Sequence, residues 1–177
     1  LSRAFSYPIM LIGFGGLTGY LILRGNEMNA CPIGNPFEII SLIIWSSVFF
    51  YLIVSLAFSV NYLGFFTAGF SSIAFAVLYL FPDLNYAYSP DEIHSSHVIG
   101  FHAALAVFSY GIFALLGLLA LMYLLQFHGI TQRKAGNFFS FLPPLIKLER
   151  LETWTLVAGV FALSVSLFVG SFSFVAD

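Results

Sequence analysis

A histidine inside a long uncharged segment is the side chain of this sequence best suited to chemistry. His102 lies near the start of an apolar run that extends to residue 127, and Tyr110 follows two helical turns later on the same predicted face. A neutral imidazole in such a segment can bind a metal ion or carry a proton, and it can equally be a hydrogen-bonded structural group. Both interpretations of His102 are open, and Tyr110 is a candidate member of the same site.

An acidic residue stands at the start of another apolar segment. Asn35, Pro36 and Glu38 have the order of a helix N-terminus, in which Asn35 accepts backbone N–H groups and Glu38 complements the helix dipole. Trp45 follows two turns after Glu38 on the same predicted face. A cap and a functional role for Glu38 are compatible, and we expect Glu38→Gln to cost on the order of 1 kcal/mol or less.

Two further histidines, His94 and His97, are three residues apart and directly follow Asp91 and Glu92. That spacing suits a zinc ion on a helix, and it is also found in ordinary solvated loops. The sequence has no Ser/His/Asp arrangement, P-loop, HExxH or CxxC motif. We therefore expect neither hydrolysis nor ATP-driven chemistry.

The composition determines where these groups must lie. Of the 177 residues, 60% are hydrophobic and only 8% are charged, which is too few charges to cover a water-soluble domain of this size. The net charge of −2 excludes the basic surface that nucleic-acid binding requires. The chain is therefore predicted to be an integral membrane protein with no nucleic-acid partner.

Gaps between charged residues predict an all-α bundle of five transmembrane helices in a single domain. A spanning helix needs about 20 apolar residues, and the uncharged stretch between Glu38 and Asp83 is long enough for two, with a turn at residues 59–62. The predicted spans are residues 4–23, 39–58, 63–81, 98–127 and 153–176. Residues 145–152 are predicted to form a short interfacial helix that leads into the fifth span, anchored by Trp154.

Small residues predict where helices approach one another. Gly15 and Gly19 form a GxxxG pattern, and the fourth span is rich in alanine around Gly117. Because small side chains allow close contact between helices in lipid, we predict that these positions serve packing.

The basic residues predict the orientation. With a cytoplasmic N-terminus, every Lys and Arg except Arg24 falls on the cytoplasmic side, as the distribution of basic residues in membrane proteins favours. The prediction is N-in and C-out, which places residues 128–152 inside and residues 82–97 outside.

Three stretches, taken in order, resemble the cytochrome c assembly protein family, which includes the haem-handling CcsA, CcmC and CcmF proteins. They are the PxxNxFE loop of residues 32–38 with Trp45 after it, the histidine-led segment of residues 101–110, and residues 142–151 followed by a span that ends at 169–171. The likeness is strongest to the HemX/YpjD branch, which lacks a visible tryptophan-rich WWD motif.

The resemblance implies a factor of cytochrome c biogenesis that binds or presents haem at the outer face of the membrane. Its partners would be haem, apocytochrome c, other cytochrome c assembly proteins and the lipid bilayer. It would bind haem and would not itself catalyse a reaction. At most it would be one part of a haem-lyase system. The implied location is the bacterial inner (plasma) membrane, with the thylakoid as the alternative.

By position, His102 matches one of the family's iron-ligating histidines, and the expected cofactor is a b-type haem. Glu38, Trp45 and Tyr110 would complete its surroundings. The WWD motif and the second histidine are expected beyond residue 177, in a longer protein of which this chain is the N-terminal part. The alternative function is a membrane scaffold or regulatory subunit of an assembly complex that binds no haem. A solute transporter is less favoured, because no inverted repeat is visible.

Overall fold

The computed structural model describes residues 3–58, 60, 62–85, 97–132 and 142–173. Five long α-helices occupy most of this part of the chain, and each is long and apolar enough to cross a membrane. They are α1 (Arg3–Met28), α2 (Pro36–Phe58), α3 (Leu63–Leu80), α4 (His97–Thr131) and α5 (Leu145–Ser173), with a short 3₁₀ turn at Pro82–Asn85. The predicted all-helical membrane bundle is confirmed.

The ends of the helices differ from the predicted spans at charged residues. Helix α1 continues past Arg24 to Met28, because the Arg24 guanidinium is paired with Glu27 and with Glu38. Residues 145–152, predicted as a short helix that leads into the fifth span, are helical and continuous with that span in α5, which begins at Leu145. Leu148 and Leu151 of its first turns are buried in the bundle core, which explains the continuity.

Helix α2 lies at the centre of one half of the bundle, where it contacts α1, α3 and α4. Its side chains Ile44 and Tyr51 are 1% exposed and pack with Leu63 of α3 and with Leu115 and Leu119 of α4. Helix α5 packs along α4, and this contact is the most extensive in the bundle. Helix α4 therefore joins the group of α1, α2 and α3 to α5.

Glycines allow the closest approaches, although not the glycines singled out from the sequence. A Cβ atom on Gly159 would lie 2.7 Å from the Phe113 ring, so α4 and α5 meet there only because Gly159 has no side chain. By contrast, a Cβ on Gly15, Gly19 or Gly117 would meet nothing within 4 Å. These three predicted packing positions are therefore not used for contacts between the described helices.

Candidate functional site

His102 lies at the end of the α4–α5 contact, half-buried against α5. Its Nδ1 atom is 2.6 Å from the backbone carbonyl oxygen of Ser166, across a sequence separation of 64 residues. A carbonyl oxygen can only accept, so Nδ1 carries the proton and donates this hydrogen bond. The neutral ring must then hold an unprotonated Nε2, which is the form of imidazole that binds a metal ion.

Ser166 strengthens the same junction with its side chain. It is fully buried, and its Oγ donates to the backbone carbonyl oxygen of His102 at 2.8 Å. The Oγ also lies 3.2 Å from Nδ1 of His102, where it can act as a second acceptor for the ring proton. The backbone and side chain of Ser166 together fix the tautomer and the orientation of the imidazole.

Gly170, one turn after Ser166, provides the space for the ring. A Cβ atom at this position would lie 2.7 Å from Nδ1 and Cε1 of His102, well inside van der Waals contact. The imidazole therefore packs directly on the backbone of α5. Any side chain at residue 170 would displace it.

The opposite ring nitrogen is not used by the fold. In the part of the chain that the structure describes, Nε2 of His102 makes no hydrogen bond. No group of three or more His, Cys, Asp or Glu side chains that could hold a metal ion occurs among the described residues. The site can thus supply one imidazole ligand to a metal centre that brings its other ligands with it, as haem iron does.

Glu38 is the centre of a second polar cluster, formed where α1 ends and α2 begins. Its backbone N–H donates to Oδ1 of Asn35 at 2.8 Å, so the predicted helix cap is confirmed. Its Oε2 accepts from the backbone N–H of Gly34 at 2.8 Å, and its Oε1 lies 2.6 Å from Nε of Arg24. The side chain is 1% exposed, so this is a buried ion pair and more than a dipole contact.

The ion pair changes the expectation for Glu38→Gln. The prediction of a mild effect assumed a carboxylate that only complements the helix dipole near the interface. Arg24, whose side chain is 31% exposed, is paired with Glu38 and also with the more exposed Glu27. Glu38→Gln would remove the buried partner of Arg24 and leave only Glu27, so we expect a larger effect on stability than a helix cap alone implies.

Trp45 faces α1 rather than His102. Its Nε1 donates to Oγ1 of Thr18 at 2.8 Å, and its ring stacks with Phe14 and Phe49 at centroid distances of 5.3 and 5.6 Å. Phe108 of α4 closes the cluster at 6.2 Å. The indole is therefore committed to packing between α1, α2 and α4.

The four candidate residues thus do not form one constellation. Glu38 and Trp45 make their described contacts with α1, with their own helix and with Phe108, whereas His102 contacts α5. Tyr110, two turns further along α4, is 50% exposed. A direct hydrogen bond or stacking contact from Glu38, Trp45 or Tyr110 to His102 is absent among the described residues.

The two polar clusters nevertheless lie at the same end of the bundle. The Sγ atom of Cys31, in the loop before α2, is 4.0 Å from the position a Cβ would take on Gly100. Gly100 is two residues before His102 on α4. The loop that carries the Glu38 cluster therefore packs beside the turn of α4 that carries His102.

The remaining histidines have other surroundings. His94 lies outside the described residues, as do Asp91 and Glu92, and His97 begins α4 with a side chain that is not described. His128, at the opposite end of α4, is exposed.

Sequence reasoning missed Arg24, Ser166 and Gly170 as members of these clusters. Arg24 was interpreted only as a loop charge. The resemblance at residues 169–171 pointed to the part of α5 that contacts His102. No pattern in the sequence, however, predicts that contact.

The sequence pattern described as "Cytochrome C assembly protein" matches residues 33–173, which include His102, Ser166 and Glu38 but not Arg24. The chain is 28% identical over 141 residues to Protein HemX of Bacillus subtilis (strain 168), covering 78% of this chain and 50% of that protein. It thus spans about half the length of this curated relative, and no solved structure matches it. By the extent of the family match, this chain belongs to the cytochrome c assembly protein family.

Proposed function

We propose that this chain is the haem-handling membrane part of a cytochrome c assembly factor, in which His102 offers Nε2 to haem iron. The observation that carries the proposal is the 2.6 Å contact between Nδ1 of His102 and the Ser166 carbonyl. Histidines that bind metals commonly donate their other ring N–H to a backbone carbonyl or carboxylate, which fixes the tautomer and raises the basicity of the ligating nitrogen.

The surroundings of His102 suit an apolar, flat cofactor. Phe101 and Leu167, the chain neighbours of His102 and Ser166, are 56% and 62% exposed on the outside of the bundle. A porphyrin bound there would be held by His102 and by apolar contact, without covalent attachment, as in a b-type haem. Bound haem would supply the iron and the group to be transferred, and the protein would orient and present it.

The rest of the proposal follows from family membership and from the charge pattern. The chain would be the N-terminal part of a longer protein in the bacterial inner membrane, oriented N-in and C-out, with the His102 end at the outer face. There it would present haem to apocytochrome c together with other assembly proteins. It would bind and present haem and would not catalyse a reaction.

The proposal is tested by purifying the full-length protein with and without His102→Ala and recording the Soret absorption. His128→Ala is the matched control, because it removes an exposed imidazole from the other end of the same helix. We expect haem to co-purify with the wild type and the control and to be lost from His102→Ala. If none of the three proteins retains or binds added haem, the alternative of a scaffold or regulatory subunit replaces the proposal.

A further inference from the structure

A groove opens on the bundle surface at the end opposite His102, between the last turns of α2 and the first turns of α5. It encloses about 330 Å³ and is lined by apolar side chains, including Phe50 and Phe58 of α2 and Leu151 and Ala158 of α5. Helices α2 and α5 both pack on α4, and the groove is the gap that this arrangement leaves between them. In a membrane-spanning bundle, such a gap faces hydrocarbon.

One residue in the groove has an unsatisfied polar atom. Thr155 is 1% exposed, and its Oγ1 has no hydrogen-bond partner among the described residues. The other threonines all donate to the carbonyl four residues before them: Thr18, Thr67, Thr131 and Thr153. A buried hydroxyl without a partner costs about 1–3 kcal/mol, and Thr155 lines the groove, so an acceptor that reached its Oγ1 would remove that cost.

Charged residues lie along α5 on the side of the groove. Arg150 is exposed and lies one turn before the groove residue Trp154, on the same face of the helix. Lys147 lies one turn before the groove residue Leu151, again on the same face. Glu149 is exposed and lies one turn before Thr153, on the opposite side of the helix. Arg150 and Lys147 thus lie near the mouth of the groove, and Glu152 lies one turn before Thr155 on the same helix.

Trp154 marks the depth of the groove in the membrane. It lines the cavity and is 58% exposed, directly after the charged first turns of α5. Tryptophan is enriched at the level of the lipid headgroups, where one edge of the ring is apolar and the other is hydrated. Arg150 would therefore lie at the phosphate level, and Thr155 about 7.5 Å deeper along the helix, near the ester groups.

We propose that this groove binds one phospholipid molecule in a defined position. The acyl chain occupies the apolar gap between α2 and α5, an ester carbonyl accepts a hydrogen bond from Thr155 Oγ1, and the phosphate pairs with the guanidinium of Arg150. The arrangement satisfies the buried hydroxyl and matches the order of apolar, polar and cationic groups along α5. It is independent of haem binding, because the groove is at the other end of the bundle.

Retention of lipid through purification provides the first test. The full-length protein is washed with lipid-free detergent, and bound phospholipid per protein is measured by native mass spectrometry. We expect about one phospholipid per wild-type chain and loss of most of it in Thr155→Val. Thr153→Val is the matched control, since its hydroxyl is bonded to Glu149 and lies away from the groove, and it should retain lipid like the wild type.

Binding of added lipid provides the second test and identifies the chemical groups recognised. Delipidated protein is offered phosphatidylglycerol or the diacylglycerol with the same chains, which lacks the phosphate. We expect the phospholipid to bind about tenfold more tightly, as one charge-assisted contact allows, with Arg150→Gln removing the difference and Arg150→Lys restoring part of it. Ala57→Phe, which fills the groove from an exposed position, should block both lipids.

Either of two results would overturn the proposal. One is a wild-type protein that keeps no phospholipid after washing and does not distinguish the two added lipids. The other is binding that Thr155→Val, Arg150→Gln and Ala57→Phe all leave unchanged while each variant unfolds at the wild-type temperature.

Discussion

The imidazole of His102 and the backbone carbonyl of Ser166 are 2.6 Å apart and join α4 to α5 at one end of their contact. This hydrogen bond gives the imidazole N–H a partner between apolar helices. It also determines which ring nitrogen carries the proton. A single contact thus stabilises the helix pair and leaves Nε2 in the form that can bind iron.

The Ser166 side chain is expected to contribute measurably to this junction. Ser166→Ala removes the donor to the His102 carbonyl and the second acceptor for Nδ1, which should reduce the free energy of unfolding by about 1 kcal/mol. Ser164→Ala, which removes an exposed hydroxyl bonded within its own helix, is the control and should be close to neutral. Thermal unfolding in detergent, followed by circular dichroism, makes the comparison. Equal midpoints would mean that the side chain of Ser166 does not support His102.

Gly170→Ala is expected to displace the His102 ring, because the new Cβ would lie 2.7 Å from two of its atoms. Overpacking of this kind costs about 1–3 kcal/mol and should lower the unfolding temperature. Gly19→Ala is the matched control in α1, where nothing lies within 4 Å of the new methyl group, so the change should be neutral or slightly stabilising. A Gly170→Ala variant as stable as wild type would show that the ring is not held against α5.

Glu38→Gln should destabilise the junction of α1 and α2, since it removes the buried partner of Arg24. A loss of roughly 1–3 kcal/mol is expected after allowing for the partial exposure of Arg24. Glu27→Gln, whose carboxylate is 67% exposed, should change stability by less than about 1 kcal/mol. The double variant Arg24→Gln/Glu38→Gln should recover part of the loss. If Glu38→Gln and Glu27→Gln unfold at the same temperature, the buried pair contributes no more to stability than the exposed pair does.

The predicted orientation can be tested at two exposed positions. After Cys31→Ser, single cysteines are introduced at Asn29, between α1 and α2, or at Gln132, at the end of α4. An N-in topology places Asn29 outside, so an impermeant thiol reagent added to intact cells should label Asn29→Cys and not Gln132→Cys. Labelling of Gln132→Cys alone would reverse the orientation and place His102 at the cytoplasmic face.

The helices could be predicted from the sequence because their signal is local. Gaps between charged residues of about 20 positions are what a spanning helix requires, and the predicted spans overlap all five helices. The ends were less predictable, since whether a charge terminates a span depends on its partner. Arg24 lies inside α1 because Glu38, on another helix, compensates its charge.

The candidate site was predictable only in part, for the same reason. His102 could be selected because an imidazole in an apolar run is unusual, and the cap at Asn35 follows a local rule. The contacts of His102 with Ser166 and Gly170 depend on how α4 and α5 align, and no single sequence records this alignment. For Trp45 and Tyr110, helical spacing gave their position along the chain but not the neighbour each one faces.

The most direct test of the central claim is chemical rescue at His102. In the full-length His102→Gly protein, the vacated space should admit free imidazole, which can occupy the axial position on iron. Haem is titrated into wild type and variant with and without imidazole, and the Soret band is recorded. We predict a wild-type band, its loss in His102→Gly, and its recovery when imidazole is added. A Soret band in His102→Gly that is the same as wild type without imidazole would contradict the assignment of His102 as the haem ligand.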